Sequence, residues 1–183
     1  MERDEPVLRV AKIDDETPVE RLMKESAAIL FPRFYDELGA ASAVRYVAQA
    51  DPLLLRDGTY FVLERGDEMV ACGGWSRRDR MYTGSGDGAD DARPLDSATE
   101  AARVRAMFVR ADWTRRGLGR RILEACEAAA REEGFRDLTL VATLPGVPLY
   151  LAFGFQPVDE LEVELPDGVR IDCVSMTRPI APL

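Results

Sequence analysis

The chain has 183 residues, a formal net charge of −9 and no histidine. Without histidine, a Ser-His-Asp triad, a histidine-activated cysteine and a histidine-containing metal site are all excluded. The negative charge disfavours a general nucleic-acid binder, because such a protein needs a broadly basic surface to hold the phosphates.

The length suits one domain, residues 1–183, with a substantial core. No apolar run approaches the roughly 20 residues of a membrane span, and no signal-like segment follows the charged N-terminus. These features predict a cytoplasmic protein that has no membrane partner. Cys72, Cys126 and Cys173 lie far apart in apolar surroundings, which is typical of buried free thiols.

The first half of the chain carries patterns of both strands and helices. They predict a strand at 7–13, helices at 17–31 and 36–50, and a strand pair at 59–65 and 68–76. The dipeptide Asp51-Pro52 is expected to end the second helix. Between the paired strands, Gly66 and Asp67 supply a tight turn.

The second half alternates strands and helices after one long polar stretch. The predicted elements are a strand at 101–110, a helix at 117–133, a strand at 137–143, a helix at 147–153 and a hairpin of 155–165 with 169–178. The polar stretch, 78–99, contains Gly84, Gly86 and Gly88, but it lacks the strand-to-helix frame of a phosphate loop. We therefore expect a flexible loop, long enough to act as a lid. The whole order predicts a mixed α/β fold.

The start of the helix at 117 is crowded with arginines, although the positive end of a helix dipole favours acidic residues. The segment DWTRRGLGRRIL, residues 112–123, contains Arg115, Arg116, Arg120 and Arg121. A bound pyrophosphate would explain them, because guanidinium groups pair with phosphate oxygens and first-turn N–H groups lack intrahelical partners. Gly117 and Gly119 would let such a ligand approach the backbone closely.

Two common nucleotide motifs do not fit this segment. A Walker loop needs a lysine, which the segment lacks, and a dinucleotide fingerprint needs a third glycine where Ile122 stands. A solvated helix start that binds no ligand is the remaining alternative.

Two segments of the sequence resemble the GNAT superfamily of N-acetyltransferases. The family's fingerprint, Gln/Arg-x-x-Gly-x-Gly/Ala, is similar to TRRGLG at 114–119, where threonine takes the first position. Further along, YLAFGF at 150–155 resembles the family's Tyr-x-x-x-Gly-Phe stretch. The resemblance implies a single GNAT-like domain with a mixed α/β sheet, mostly antiparallel, a central splayed strand pair and flanking helices.

The resemblance also implies an N-acetyltransferase with acetyl-coenzyme A (acetyl-CoA) as cosubstrate and no metal. It assigns to the cosubstrate Met107, Phe108, Val109, Arg115, Arg116, Gly117, Leu118, Gly119 and Arg120. The backbone of 115–120 would hold the pyrophosphate, and that of 107–109 would run beside the pantetheine arm. A plain core strand is the alternative for 107–109.

Two residues are candidates for proton transfer. Tyr150 resembles the family's general acid, a phenol that protonates the departing thiolate, and packing under the last hairpin is the alternative for it. For the base we name Glu100, against the alternative of a solvated loop carboxylate. Backbone N–H groups near Phe108 and Val109 would stabilise the oxyanion when the amine attacks the thioester directly.

The acceptor implied by the resemblance is a primary amine of a small molecule or of a protein. Trp75 and Tyr82 could line its pocket, with core packing and simple exposure as their alternatives. An edge strand in the last hairpin could pair across a homodimer or stay capped. Two other functions remain open at this point: a non-catalytic acyl-CoA sensor on the same fold, and a domain without a ligand.

Overall fold

A computed structural model of the protein describes residues 5–82 and 92–182. The glycines of the predicted loop, and the middle of its suggested lid, 83–91, lie outside the described residues. The strands are β1 (Val7–Val10), β2 (Tyr60–Arg65), β3 (Glu68–Ser76), β4 (Ala102–Val109), β5 (Asp137–Thr143), β6 (Gln156–Glu164) and β7 (Arg170–Pro179). They form one sheet in the order β1-β2-β3-β4-β5-β7-β6. All neighbouring strands are antiparallel except β4 and β5. The predicted mixed α/β fold is confirmed.

Helices cover both faces of this sheet. They are α1 (Glu16–Leu30), α2 (Glu37–Tyr46), α3 (Pro52–Arg56), α4 (Leu118–Glu132) and α5 (Val147–Phe153). The adjacent β2 residues Val62 and Leu63 belong to different cores, because successive side chains of a strand point to opposite faces. One core packs beneath α4 and α5, and the other beneath α1, α2 and α3. The three cysteines are buried and free, as predicted.

The helix predicted at 36–50 is confirmed as α2 but ends early, and a second helix, α3, follows it beyond the predicted range. The side chain of Asp36 caps α2 by accepting the backbone N–H of Gly39 at 2.7 Å, but α2 ends at Tyr46. Asp51 then caps α3 by accepting the N–H of Leu53 at 3.0 Å, with Pro52 in the first turn. An acidic cap followed by proline starts a helix well. The dipeptide expected to end one helix therefore begins another.

The centre of the sheet is open between β4 and β5. These strands pair only at Ala102 with Leu138 and at Arg103 with Thr139, near the amino ends of both. Farther along, β4 bulges: its register on β3 shifts opposite Gly73, and Ala106 has a φ of 50°. A bulge bends its strand and increases the local twist. The splayed strand pair is thus confirmed, and we call the opening the β4–β5 gap.

No helix in the two described ranges is long and apolar enough to span a bilayer. The longest of them, α1 and α4, have 15 residues each. A membrane-spanning helix needs about 20 apolar residues, and both α1 and α4 alternate apolar with charged side chains.

Candidate active site

Two cavities meet at the β4–β5 gap. The first, which we call the loop cavity, has a volume of about 560 Å³ and extends over the start of α4. The second, the hairpin cavity, has about 420 Å³ and extends towards the turn between β6 and β7. Four residues line both cavities: Met107, Phe108, Thr143 and Tyr150. A molecule in one cavity would therefore be able to touch a molecule in the other.

The start of α4 offers backbone donors to the loop cavity. Gly117 occupies the N-cap position with a φ of 78°, and it has no side chain to satisfy the first-turn N–H groups. A Cβ at Gly117 would meet open space, so glycine is needed there for the left-handed backbone. Arg115 also has a positive φ, 64°, which is uncommon for a residue with a side chain. The turn is shaped to present its amides, as an anion site requires.

Gly119 is required for a different reason from the predicted one. A Cβ at this position would lie 2.6 Å from Cδ2 of Leu149 in α5. The missing side chain therefore lets α5 pack closely against the first turn of α4. Gly119 and Leu149 both line the loop cavity, so this contact also shapes the cavity wall.

The predicted cosubstrate residues are brought together with one exception. The loop cavity is lined by Met107, Phe108, Val109, Arg115, Gly117, Leu118, Gly119 and Arg120. Arg116 is absent from the lining: its guanidinium lies 4.5 Å from the centre of the Trp113 ring and donates to the carbonyl of Asp112 at 3.2 Å. The prediction for Arg116 is therefore not supported as a direct contact.

The backbone of β4 presents some of its groups to the gap. Arg110 donates its backbone N–H to the carbonyl of Val70 in β3 at 2.9 Å. Because the backbone groups of an antiparallel strand alternate in direction, the N–H and C=O of Phe108 point to β3, and those of Val109 point away from it, on the side of the gap. The hydroxyl of Ser26 donates to the carbonyl of Val109 at 2.7 Å. The N–H of Val109 is then the group that faces the gap, whereas that of Phe108 points to the neighbouring strand.

Tyr150 lies in the wall that the two cavities share. Only 8% of the residue is exposed, and its ring packs edge-on against Phe155 with ring centres 5.7 Å apart. Burial raises the pKa of the phenol well above its ordinary value of 10, so it stays protonated at neutral pH. Core packing and contact with both cavities therefore hold at once for this residue.

Glu100 does not lie with these residues. It precedes β4 at the end where β4 and β5 still pair, and it lines neither cavity. Its carboxylate accepts from Arg93 at 2.6 and 2.9 Å and from the backbone N–H of Asp96 at 2.8 Å. The hydrogen bond from Arg93 lowers its pKa to about 2, far from the value that suits a base at neutral pH. The structure therefore argues against Glu100 as the base.

Of the two residues expected at an acceptor pocket, one lines the hairpin cavity. Tyr82 lines it, but Trp75 does not. Trp75 is 1% exposed and packs edge-on against Phe135, so core packing explains it. Other lining residues, such as Tyr46 and Thr143, carry no local sequence signal, because they come from elements that meet only in the folded chain.

The sequence matches one family model. The acetyltransferase (GNAT) domain matches residues 56–157, which is more than half of the chain. This range contains β4, the start of α4 and Tyr150. No curated protein matches the chain at a significant level.

Several solved structures share the fold. The GCN5-related N-acetyltransferase of Rhodopseudomonas palustris is 18% identical, with a TM-score of 0.69 and 98% of each chain covered. The PaiA N-acetyltransferase of Thermoplasma acidophilum, solved with coenzyme A, is 12% identical, with a TM-score of 0.64, over 95% of this chain and 98% of that one. The ribosomal-protein-S18-alanine N-acetyltransferase of Escherichia coli is 18% identical, with a TM-score of 0.58, over 97% and 96%. At these identities the likeness shows the fold.

Proposed function

The chain belongs to the acetyltransferase (GNAT) domain family, and from that premise we propose that it is an N-acetyltransferase that moves the acetyl group of acetyl-CoA to a primary amine. The observation that carries the proposal is the meeting of two cavities at Tyr150 in the β4–β5 gap. One cavity suits the cosubstrate and the other suits the acceptor. The relative solved with coenzyme A supports the choice of cosubstrate.

The loop cavity fits a coenzyme A molecule in its charge and in its backbone donors. The uncapped first turn of α4 offers N–H groups to a pyrophosphate, and Arg115 and Arg120 line the same space. Thr114 stands where the fingerprint has Gln or Arg. Its hydroxyl donates a hydrogen bond to the carbonyl of Ala111 at 3.0 Å. It closes the preceding turn, so the amides after it keep their orientation. The gap-facing edge of β4 at Met107 and Val109 would hold the pantetheine arm.

The proposed chemistry is direct attack of the amine nitrogen on the thioester carbonyl. The C–N bond forms, the C–S bond breaks, and the phenol of Tyr150 gives its proton to the departing thiolate. The N–H of Val109 stabilises the negative charge on the carbonyl oxygen. The shared wall of Met107, Phe108, Thr143 and Tyr150 holds no carboxylate. The proton of the amine therefore passes to water, and water returns a proton to the phenolate of Tyr150 before the next turnover.

Calorimetric titration with acetyl-CoA tests this proposal. We expect binding at micromolar concentration to the wild type and weaker binding to Arg120→Ala, because Arg120 lines the loop cavity. Arg116→Ala is the matched control, since Arg116 is stacked on Trp113 outside the lining. No binding to the wild type would reject the cosubstrate. Binding without thiol release from any amine would instead favour the acyl-CoA sensor.

A further inference from the structure

Most of the residues that line the hairpin cavity have apolar or aromatic side chains, and Gln49 and Thr143 are the uncharged polar members. The apolar members are Val47, Met81, Val104, Ala106, Met107, Phe108, Val141, Val163, Leu165, Pro166, Ile171 and Cys173. Three tyrosines, Tyr46, Tyr82 and Tyr150, add aromatic surface. With about 420 Å³, its volume lies within the range of about 300–1,000 Å³ that is usual for small-molecule sites.

The charged groups of this cavity do not suit a cation. Among the described lining residues, Arg105 and Glu164 are the ones that carry a full charge at neutral pH. Arg105 is positive, and its side chain is 2% exposed and donates to Asp51 at 3.0 Å. Asp51 itself is not part of the lining, and its carboxylate is occupied by Arg105 and by the cap of α3. The guanidinium of Arg105 is a donor without an acceptor atom, so it offers no hydrogen bond to an ammonium group.

Glu164 does not change this conclusion. It lies at the end of β6, where its side chain is 60% exposed and paired with Arg170 at 3.1 Å. The carboxylate is therefore at the rim of the cavity, in water, and already has a cationic partner. An ammonium group buried deeper would have no described carboxylate to pair with, and burying an unpaired charge is costly.

We propose that the acceptor is a small primary amine with an apolar body, such as an alkylamine or arylalkylamine, and that diamines and polyamines are poor acceptors. This inference rests on the proposed function. The apolar body fills the hairpin cavity, and the amine nitrogen lies at the shared wall beside Tyr150. An apolar wall also lowers the pKa of the bound amine, because desolvation favours the neutral form. The neutral amine is the form that attacks, so the cavity assists in the absence of a base.

Hexylamine and 1,5-diaminopentane form a matched pair for the test. They have the same number of non-hydrogen atoms, and they differ in whether the far end is a methyl group or an ammonium group. With acetyl-CoA as donor, we expect kcat/KM for hexylamine to exceed that for the diamine by about tenfold or more. Equal values, or a preference for the diamine, would overturn the inference while leaving the transferase function intact.

Binding of the acetylated products gives a readout that does not depend on turnover. Calorimetry should show that N-hexylacetamide binds the full-length protein at least about tenfold more tightly than N-acetyl-1,5-diaminopentane. If neither product binds, or if the cationic one binds as tightly, the inference is wrong. Failure of the proposed function would appear separately, as loss of acetyl-CoA binding.

A carboxylate placed in the wall should weaken or abolish the preference. Val47 is half-buried at the end of α2, so we expect Val47→Glu to reduce the hexylamine preference about tenfold and Val47→Gln to leave it unchanged. If Val47→Glu does not fold, Tyr82→Glu and Tyr82→Gln make the same comparison at a residue that is 38% exposed. Glu164→Gln should change the preference less than twofold. A loss of diamine acetylation in Glu164→Gln would mean that the rim carboxylate selects the amine.

Discussion

At the scale of single residues, the proposed function gives Tyr150 a role in proton transfer beside the packing that its contacts show. We expect Tyr150→Phe to lower kcat about a hundredfold, because a phenylalanine fills the same space but cannot donate a proton. The Kd for acetyl-CoA should stay within twofold of the wild-type value. Thiol-release kinetics and calorimetry measure the two quantities. An unchanged kcat would leave Tyr150 with a packing role alone.

Glu100 is expected to matter for acid stability and not for catalysis. The pKa of Glu100 in the folded protein is about 2, below its ordinary value of 4.5. The ion pair with Arg93 therefore stabilises the folded protein above pH 4.5. This contribution is lost as the pH falls towards 2. Because both side chains reach solvent, the effect is small. Thermal melts should show a slightly lower Tm for Glu100→Gln at pH 7 and a smaller difference near pH 2.5. A large loss of kcat would return Glu100 to the list of bases.

At the scale of elements, the contact between α4 and α5 depends on Gly119. We expect Gly119→Ala to destabilise the protein by about 1–3 kcal/mol, because the new Cβ would overlap Leu149. In a Leu149→Ala background the same change should be neutral or stabilising, since alanine favours the helix over glycine. Chemical denaturation of the two single variants and the double variant gives the coupling. Additive effects would show that the contact does not restrict position 119.

At the scale of the whole molecule, a ligand that binds only the folded protein should raise its melting temperature. Acetyl-CoA at about 100 times its Kd should stabilise the fold by about 2.7 kcal/mol. For a domain of this size, that corresponds to a Tm increase of about 5–10 °C. Inorganic pyrophosphate at the same concentration is the control and should raise the Tm less, because it fills only the anion site. An equal shift would limit the binding to that site.

Local signals made most elements predictable from the sequence. Gly134 ends α4 with a φ of 90°, and the turn at 166–168 joins β6 to β7. Asp51-Pro52 misled because the same two residues can end one helix and cap the next. The resemblance predicted the splayed pair and the start of α4. The bulge at Ala106 has no comparable signal, since alanine rarely has a positive φ.

Long-range contacts explain the site residues that the sequence could not predict. Arg116 and Arg120 both lie over an aromatic ring, but Arg116 precedes the helix, whereas Arg120 lies within its first turn and lines the loop cavity. Glu100 is close to β4 in sequence, yet it lies at the end opposite the gap. The walls of the hairpin cavity come from distant parts of the chain, such as Tyr46 and Cys173, and only the folded sheet brings them together.

The pairing of β4 with β5 at two positions also has a mechanical consequence. The sheet consists of a four-stranded half and a three-stranded half that are joined by backbone pairing at one corner. A bound pantetheine arm that bridges the open side would act as a strut between the halves. Amide hydrogen exchange at Val109 in β4 and at Val141 in β5 should then slow on ligand binding, although both strands keep the same neighbours in the sheet. The cosubstrate would in this way complete the sheet as well as supply the acetyl group.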